Sequence, residues 1–375
     1  MPSDAPAGAG RAEGESTGDG WAEFTSWDNL LASWRAAAAG KRGAPAAARF
    51  EYRLAEQLLR LQHTLQHGRW QPGRYTRFVV HEPKHRIISA APFADRVVHH
   101  ALMRVAAPRF ERNFSPHSFA NRSGLGTLAA VEAVATLCRR HAWALRLDVQ
   151  QHFPSIDHTI LLARLQQRIA EPGLRTVVQR VLAGGQAPAD EAAAPVYLPG
   201  DDLLAALRPR GLPIGNLTSQ AWSKVYLDPL DQFITRTLGC RAYARYVDDM
   251  VLLHDDPRTL AAWGQAVRAF ALQRLRLRLH LHSAQVQPVQ AGVPWLGHVV
   301  YAEHRLLKSR KVVATTRRLT RVWQQWQAGY APFDEFDARV QGWVAHARHA
   351  DSWRIRETVL GRFDLGRRWQ PKPGG

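Results

Sequence analysis

The chain has 375 residues, with 50 Lys and Arg against 32 Asp and Glu, which leaves a formal net charge of +18. Its apolar content of 46% excludes a wholly disordered chain, and its two cysteines exclude a disulfide-stapled scaffold. No apolar run approaches the roughly 18 to 20 residues that span a bilayer, so we expect a cytoplasmic protein with no membrane partner, and the positive charge favours a polyanionic partner such as nucleic acid.

The N-terminal part of the chain predicts a leader, a helix and a hairpin. Residues 1–20 are Gly, Ala, Ser and acid with little to bury, so a disordered leader is expected before the fold begins near Trp21. Residues 50–67 carry leucines at helical spacing, and Gly68 is placed to cap that helix. Residues 75–90 hold two β-branched runs around a Glu-Pro break, which predicts a strand pair.

Two helices and an alternating strand come next. Residues 93–110, which follow a proline, and residues 125–142 both have helical patterns. Residues 143–149 (WALRLDV) alternate between large apolar side chains and a second face that carries Arg146 and Asp148. This pattern predicts a strand with one core face and one working face.

The second half of the chain begins with a segment rich in Ala, Pro, Gly and Asp, residues 184–210, which predicts a surface loop or insertion. A helix is expected over residues 216–227, and Asp228 and Pro229 are interpreted as the N-cap and first residue of a further helix. Two short strands then flank a Val-Asp-Asp string. From about residue 305 the chain is predicted to be helical and basic.

Three aspartates stand where strands end or turn: Asp148, Asp248 and Asp249. Adjacent residues of a strand point to opposite faces, so Asp248 and Asp249 can serve one site only if a tight turn redirects one of them. Carboxylates brought together repel each other, and Mg²⁺ relieves that repulsion with oxygen ligands. Two such ions can serve an in-line phosphoryl displacement, whereas the simpler interpretation is an ordinary acidic hairpin turn.

Three segments, in this order, resemble the motifs of reverse transcriptases: RLDVQQHFPSIDH (146–158), GLPIGNLTSQ (211–220) and YVDDM (246–250). The resemblance implies an RNA-directed DNA polymerase with an α+β right-hand fold of fingers, antiparallel-sheet palm and helical thumb. It implies the following division of the chain: leader 1–20, N-terminal extension and fingers 21–142, palm 143–300 with the insertion 184–210, basic helical thumb 301–365 and flexible tail 366–375.

The resemblance also implies roles for individual residues. Asp148, Asp248 and the backbone carbonyl of Val149 would hold two Mg²⁺ ions, with Asp249 as a supporting catalytic carboxylate. Lys84 and Arg86 would bind the dNTP triphosphate. Phe153 stands where the family keeps an aromatic residue that excludes a ribose 2′-hydroxyl. The other implied substrate contacts are Ile214, Gly215, Gln220 and Tyr246.

The middle motif is similar to that of diversity-generating retroelement reverse transcriptases, bacterial and phage enzymes related to those of group II introns. That likeness implies error-prone copying at template adenines for targeted mutagenesis of a variable gene. An apolar Ile214 offers the nucleotide no hydrogen bond, so mispairs are penalised less. The implied partners are template RNA, the RNA–DNA duplex, dNTPs and a small basic accessory protein.

One departure and two alternatives remain open. The lysine that the family keeps after the palm helices is absent from residues 277–289, where His280 or His282 could donate the proton to pyrophosphate or simply decorate a strand. The alternatives are untemplated or protein-primed DNA synthesis by a defence-associated reverse transcriptase, and an RNA-binding, maturase-like protein with an idle polymerase site.

Overall fold

The computed structural model describes residues 20–81, 86–185, 193–280 and 285–363, which divide into two compact units. The first unit takes in the described parts of Met1–Ser115, Gln150–Pro229 and Phe270–Arg278. The second takes in those of Pro116–Val149, Leu230–Ala269 and Leu279–Gly375. Within this described part, no helix is both long and apolar enough to cross a membrane.

Groups of helices and groups of antiparallel strands follow one another along the chain. The α-helices are α1 Gly20–Thr25, α2 Trp27–Ala38, α3 Pro45–Tyr52, α4 Leu54–Gln66, α5 Phe93–Glu111, α6 Thr127–Cys138, α7 His152–Ser155, α8 His158–Gln166, α9 Pro172–Gly184, α10 Leu217–Gln232, α11 Pro257–Leu275, α12 Ser309–Gln327, α13 Phe333–Ala347 and α14 Trp353–Leu360. The strands are β1 Thr76–Val80, β2 Arg86–Ala90, β3 Trp143–Asp148, β4 Tyr243–Tyr246, β5 Asp249–His254, β6 Val286–Pro288, β7 Val293–Trp295, β8 His298–Val300 and β9 Arg305–Leu307.

Helices α2, α4 and α5 pack together in the first unit, where Leu30, Leu58 and Leu102 are fully buried. The single helix predicted over residues 50–67 is divided, because α3 ends before Arg53 and α4 begins after it. Gly68 caps α4 as predicted, with a φ of +62° that favours glycine. The predicted hairpin is confirmed, since β1 and β2 pair antiparallel over five residues each.

The second unit is built on a four-stranded antiparallel sheet with the strand order β4-β5-β3-β6. The predicted core face of β3 is confirmed, since Leu145 and Leu147 are buried while Arg146 and Asp148 stay half-exposed. Ala144 on the other face is also buried, because it packs in one core cluster with side chains of α6. The second face of β3 therefore exposes polar side chains only in its last part, at Arg146 and Asp148.

The last part of the second unit combines a small sheet with three helices. Strands β7, β8 and β9 form an antiparallel sheet, and α12, α13 and α14 enclose a cluster that contains Leu307, Trp323 and Phe336. Trp323 is thus a core residue. Residues 305–307 form a strand rather than helix, and the basic helix begins only at Ser309.

The predicted restart of a helix at Asp228 is wrong. Helix α10 runs without a break from Leu217 to Gln232 with Pro229 inside it, and the Asp228 carboxylate accepts a hydrogen bond from Arg168 at 2.7 Å instead of capping a helix. An interior proline costs about 3 kcal/mol. Burial offsets that cost, since Val225, Tyr226, Leu227 and Leu230 are all fully buried.

The segment predicted as a surface loop, residues 184–210, is described from residue 193 onward. Its chain is held to the first unit by Arg276, which donates to both Asp201 carboxylate oxygens at 2.5 and 2.6 Å and to the Val196 carbonyl at 2.7 Å. A short 3-10 helix, Leu203–Leu207, follows. The described part of the insertion is therefore anchored.

Candidate active site

Asp148 is the last residue of β3, and its backbone lies between two partners. In the β3–β5 register it stands opposite Asp249. On the other edge, the Asp148 carbonyl accepts a hydrogen bond from the His280 amide at 2.9 Å, and Val149 pairs with Leu279. Because neighbouring peptide groups of a strand point to alternate edges, the Val149 carbonyl points toward the edge that β5 pairs with.

The turn between β4 and β5 contains only Val247 and Asp248. It is closed by the pair Tyr246 and Asp249, and Val247 has a φ of +58°. The predicted tight turn is therefore confirmed: Asp249 begins a strand, while Asp248 lies in the turn. Register and turn together place Asp148 and both adjacent aspartates on neighbouring backbone.

Arg146 pairs with the second aspartate of the turn. Its Nη2 donates to Asp249 Oδ1 at 2.5 Å, and the two side chains are 28% and 26% exposed. Lys308 lies within electrostatic range of this pair; its pKa is lowered by burial and by the Arg146 charge, while Asp249 opposes that shift. Asp249 is thus paired with Arg146, and the Lys308 charge acts on the same carboxylate.

The donor chemistry of Asp148, Asp248 and the Val149 carbonyl fits Mg²⁺. Among the residues that the structure describes, no three His, Cys, Asp or Glu side chains form a group that could hold a metal ion. The predicted ligand set needs only two carboxylates and one carbonyl. Mg²⁺ commonly binds through one or two carboxylates and completes its shell with water and substrate phosphate oxygens.

The first unit carries the residues of the middle motif. The Ile214 carbonyl accepts a hydrogen bond from the Ser89 amide at 3.0 Å, which ties the motif to β2. Gly215 has a φ of +115°, and a Cβ there would lie 3.0 Å from Ile88 Cγ2. Gly215 is therefore required by the backbone. Gln220 is exposed on α10.

Phe153 belongs to the same unit. It lies in α7, is half-buried, and its carbonyl accepts a hydrogen bond from the Leu212 amide at 2.8 Å. This contact joins the segment after β3 to the residues just before Ile214. The structure thus brings Phe153, Ile214 and Gly215 onto linked backbone.

Arg86 is the first residue of β2, where it stands opposite Val80 with an exposed side chain. Lys84, the second predicted triphosphate contact, lies outside the described residues, as does His282. His280 is exposed, and its amide contacts Asp148 as described above.

Comparison with known families identifies this arrangement. A family model described as "Reverse transcriptase (RNA-dependent DNA polymerase)" matches residues 80–300, more than half of the chain. The chain belongs to the reverse transcriptase family. It is an RNA-directed DNA polymerase with the mixed α and antiparallel β fold of that family.

Individual proteins similar to this reverse transcriptase share little sequence with it. Protein YkfC of Escherichia coli (strain K12) is 23% identical over 302 residues, which cover 70% of this chain and 76% of that protein. A Candida albicans telomerase in complex with a fragment of telomeric RNA is 9% identical with a TM-score of 0.43, and covers 80% of this chain and 58% of its own. An apo telomerase of Candida tropicalis is 8% identical with a TM-score of 0.45, and covers 68% and 53%. The reverse transcriptase spans little more than half the length of these telomerase chains.

The sequence patterns predict no role for two basic side chains near Asp249. They place Arg146 on the working face of β3 and Lys308 in a basic segment, without a partner for either. The spacing of Arg146 two residues before Asp148 was the available signal, because residues two apart on a strand share a face. Nothing in the local sequence relates Lys308 to Asp249.

Tyr246, a predicted substrate contact, is half-buried against the sheet core. Its hydroxyl accepts a hydrogen bond from Thr127 Oγ1 at 3.0 Å, at the start of α6. This contact fixes the ring that precedes the turn.

Proposed function

We propose that Asp148, Asp248 and the Val149 carbonyl hold two Mg²⁺ ions and that this site extends a primer along an RNA template. The observation that supports it is the assembly of these oxygens by strand register and a two-residue turn in one unit. When bound, the ions would lower the pKa of the attacking hydroxyl and neutralise charge on the leaving group. The primer 3′-hydroxyl attacks the α-phosphate of a dNTP, and pyrophosphate leaves.

The chain's own residues then have separate tasks. Asp249 is not a metal ligand in this proposal. Its ion pair with Arg146 neutralises its charge and fixes the backbone beside Asp248. Arg86 and Lys84 contact the triphosphate, since a guanidinium bonds phosphate oxygens in pairs. The remaining assigned contacts to the incoming nucleotide and template are made by Phe153, Ile214, Gly215, Gln220 and Tyr246.

The basic helix α12 supports binding of an RNA–DNA duplex. One of its faces is buried in the core through Leu319, Val322 and Trp323. Lys311, Arg317 and Arg321 are exposed. Exposed cations at the surface of a helix bind phosphates and release counterions. On this basis we assign residues 301–365 to the thumb, within the proposed division into fingers, palm and thumb.

The finer function that we propose is error-prone synthesis at template adenines for targeted mutagenesis, with a structured template RNA and a small basic accessory protein. It rests on the Ile214-Gly215-Asn216 form of the middle motif. Ile214 is half-buried and held by its backbone to Ser89. The Ile214 side chain can contact a nucleotide through its shape but offers it no hydrogen bond. This weakens discrimination against mispairs.

The catalytic assignment is tested by primer extension with Mg²⁺ and dNTPs. Asp148→Asn and Asp248→Asn are expected to lower kcat by about 1000-fold or more, because each removes a ligand of the charge-stabilising ions. Asp255→Asn is the matched control, since it makes the same change just beyond the other end of β5, and it should keep near-normal activity. Normal activity of Asp248→Asn would overturn the assignment.

The fidelity proposal is tested by sequencing the products made on a template of balanced composition. Misincorporation concentrated opposite adenine is the expected result. Errors spread evenly over the four template bases would contradict it while leaving the polymerase assignment intact.

A further inference from the structure

A fully buried arginine lies under the turn that carries Asp248. Arg245 is 0% exposed, and its guanidinium binds the Asp231 carboxylate through Nε at 2.6 Å and Nη2 at 2.5 Å. Its third nitrogen, Nη1, donates to the Val247 carbonyl at 2.8 Å. One side chain thus joins a buried carboxylate of α10 to the turn.

Asp231 is equally enclosed. It is 0% exposed, and its Oδ1 also accepts a hydrogen bond from the Tyr243 hydroxyl at 2.7 Å. Taking two charges out of water is costly, and an apolar pair of similar size is often as stable or more stable. Stability alone therefore gives a weak reason for an ion pair at this place.

The turn itself needs support. Val247 is β-branched and has a φ of +58°, a backbone conformation that such residues rarely adopt and that persists only when the surroundings impose it. The hydrogen bond from Arg245 falls on the carbonyl of this same residue. The Arg245 backbone is fixed in turn, since its amide donates to the His117 carbonyl at 2.8 Å and its carbonyl accepts from the Phe119 amide at 3.0 Å.

We propose that Arg245 and Asp231 are positioning residues that hold the Val247–Asp248 turn in the conformation in which Asp248 binds metal. Asp231 orients the guanidinium, the guanidinium holds the Val247 carbonyl, and the next residue in the chain is the proposed ligand. This inference rests on the proposed function, because the proposed function assigns Asp248 as a metal ligand.

The test uses two conservative variants in the full chain. Arg245→Lys keeps the positive charge but cannot bond both Asp231 oxygens and the Val247 carbonyl together, because an ammonium lacks the planar fork. Asp231→Asn keeps the shape and removes the charge. The matched control is Asp228→Asn, the same change on the same helix α10, at a buried aspartate that pairs with Arg168 at 2.7 Å.

Two readouts separate positioning from general stability. The first is the dissociation constant for Mn²⁺, measured by electron paramagnetic resonance on the protein without nucleic acid, with Asp248→Asn as the reference for a lost ligand. The second is primer extension, with kcat and the dNTP KM measured separately. Thermal unfolding of each variant is recorded alongside them.

Both variants are expected to weaken Mn²⁺ binding and lower kcat by about 10-fold or more, as losing outer support of a metal ligand commonly does. The dNTP KM should change little, and Asp228→Asn should match the wild type in Mn²⁺ affinity. Lower thermal stability with unchanged Mn²⁺ affinity in Arg245→Lys and Asp231→Asn would overturn the inference.

A third variant keeps the inference testable if either of these fails to fold. Tyr243→Phe removes only one hydrogen bond to Asp231, so it should weaken Mn²⁺ binding by a few-fold in the same direction, and unchanged binding would overturn the positioning role. Failure of the proposed function looks different: the wild type itself would then make no cDNA and show no Mn²⁺ binding that depends on Asp248.

Discussion

Replacing Asp249 by asparagine tests how the two adjacent aspartates of the turn divide their tasks. The substitution keeps the shape of the side chain and removes its charge, so Arg146 loses an ion pair whose atoms lie 2.5 Å apart. At an effective dielectric constant of about 20, such charges attract by about 4 kcal/mol at 4 Å before desolvation is counted. Exposed pairs retain only about 0.2–1 kcal/mol.

The Arg146 and Asp249 side chains are 28% and 26% exposed, so a net value of about 1–2 kcal/mol is reasonable for this partly buried pair. If all of it is lost from the transition state, kcat falls by about 5- to 30-fold, since about 1.4 kcal/mol corresponds to tenfold. Asp248→Asn is expected to lower kcat by about 1000-fold or more, because it removes a proposed metal ligand.

The assay is steady-state primer extension with the two single variants, Arg146→Gln and the double variant Arg146→Gln with Asp249→Asn. If the two residues act as a pair, the double variant should be scarcely slower than the slower single variant, with a coupling energy of about 1–2 kcal/mol. Two results would contradict this division of tasks between Asp248 and Asp249: an Asp249→Asn enzyme as inactive as Asp248→Asn, or losses in the two single variants that add without coupling.

Three further predictions concern fidelity, the backbone and pH. Ile214→Gln gives the nucleotide a hydrogen-bonding partner and should lower misincorporation opposite template adenine by about 10-fold or more in sequenced products; an unchanged error spectrum contradicts this role. Gly215→Ala should lower the free energy of unfolding in urea by about 1–3 kcal/mol, because alanine is strained at a φ of +115° and its Cβ meets Ile88, whereas a neutral effect refutes the strain. Burial and the surrounding positive charges lower the pKa of His298 to about 4. As the pH falls, the unfolded chain, whose histidine pKa is near 6.5, is protonated before the folded protein, so the free energy of unfolding falls by up to about 3 kcal/mol between about pH 6.5 and pH 4. His298→Leu should remove most of this pH dependence.

The arrangement of the carboxylates was largely predictable from the sequence. Asp148 ends a strand with clear alternation, and the aspartates that follow Val247 stand between two short predicted strands, so strand and turn patterns suffice to place them. These signals are local. The ion pair of Arg146 with Asp249 was not predictable, because it depends on the register between two strands about 100 residues apart.

The support under the turn was out of reach for the same reason. The sequence pattern of β4 gives no sign that Arg245 is buried. Its partner Asp231 lies on α10, where the sequence predicts that one helix ends and another begins at Asp228. Local rules treat Pro229 as the start of a helix, whereas burial of α10 carries the helix through it. Burial of a whole helix is a property of the assembled fold.

The proposed function makes Asp148 and Asp248 the catalytic site of an RNA-templated DNA polymerase. The most direct measurement is extension of a DNA primer on a defined RNA template by the purified chain, beside its Asp248→Ala variant, with the products sequenced. We expect cDNA complementary to the template from the wild type and none from the variant. Products of equal yield from both proteins, or wild-type products whose sequence is independent of the template, would contradict it.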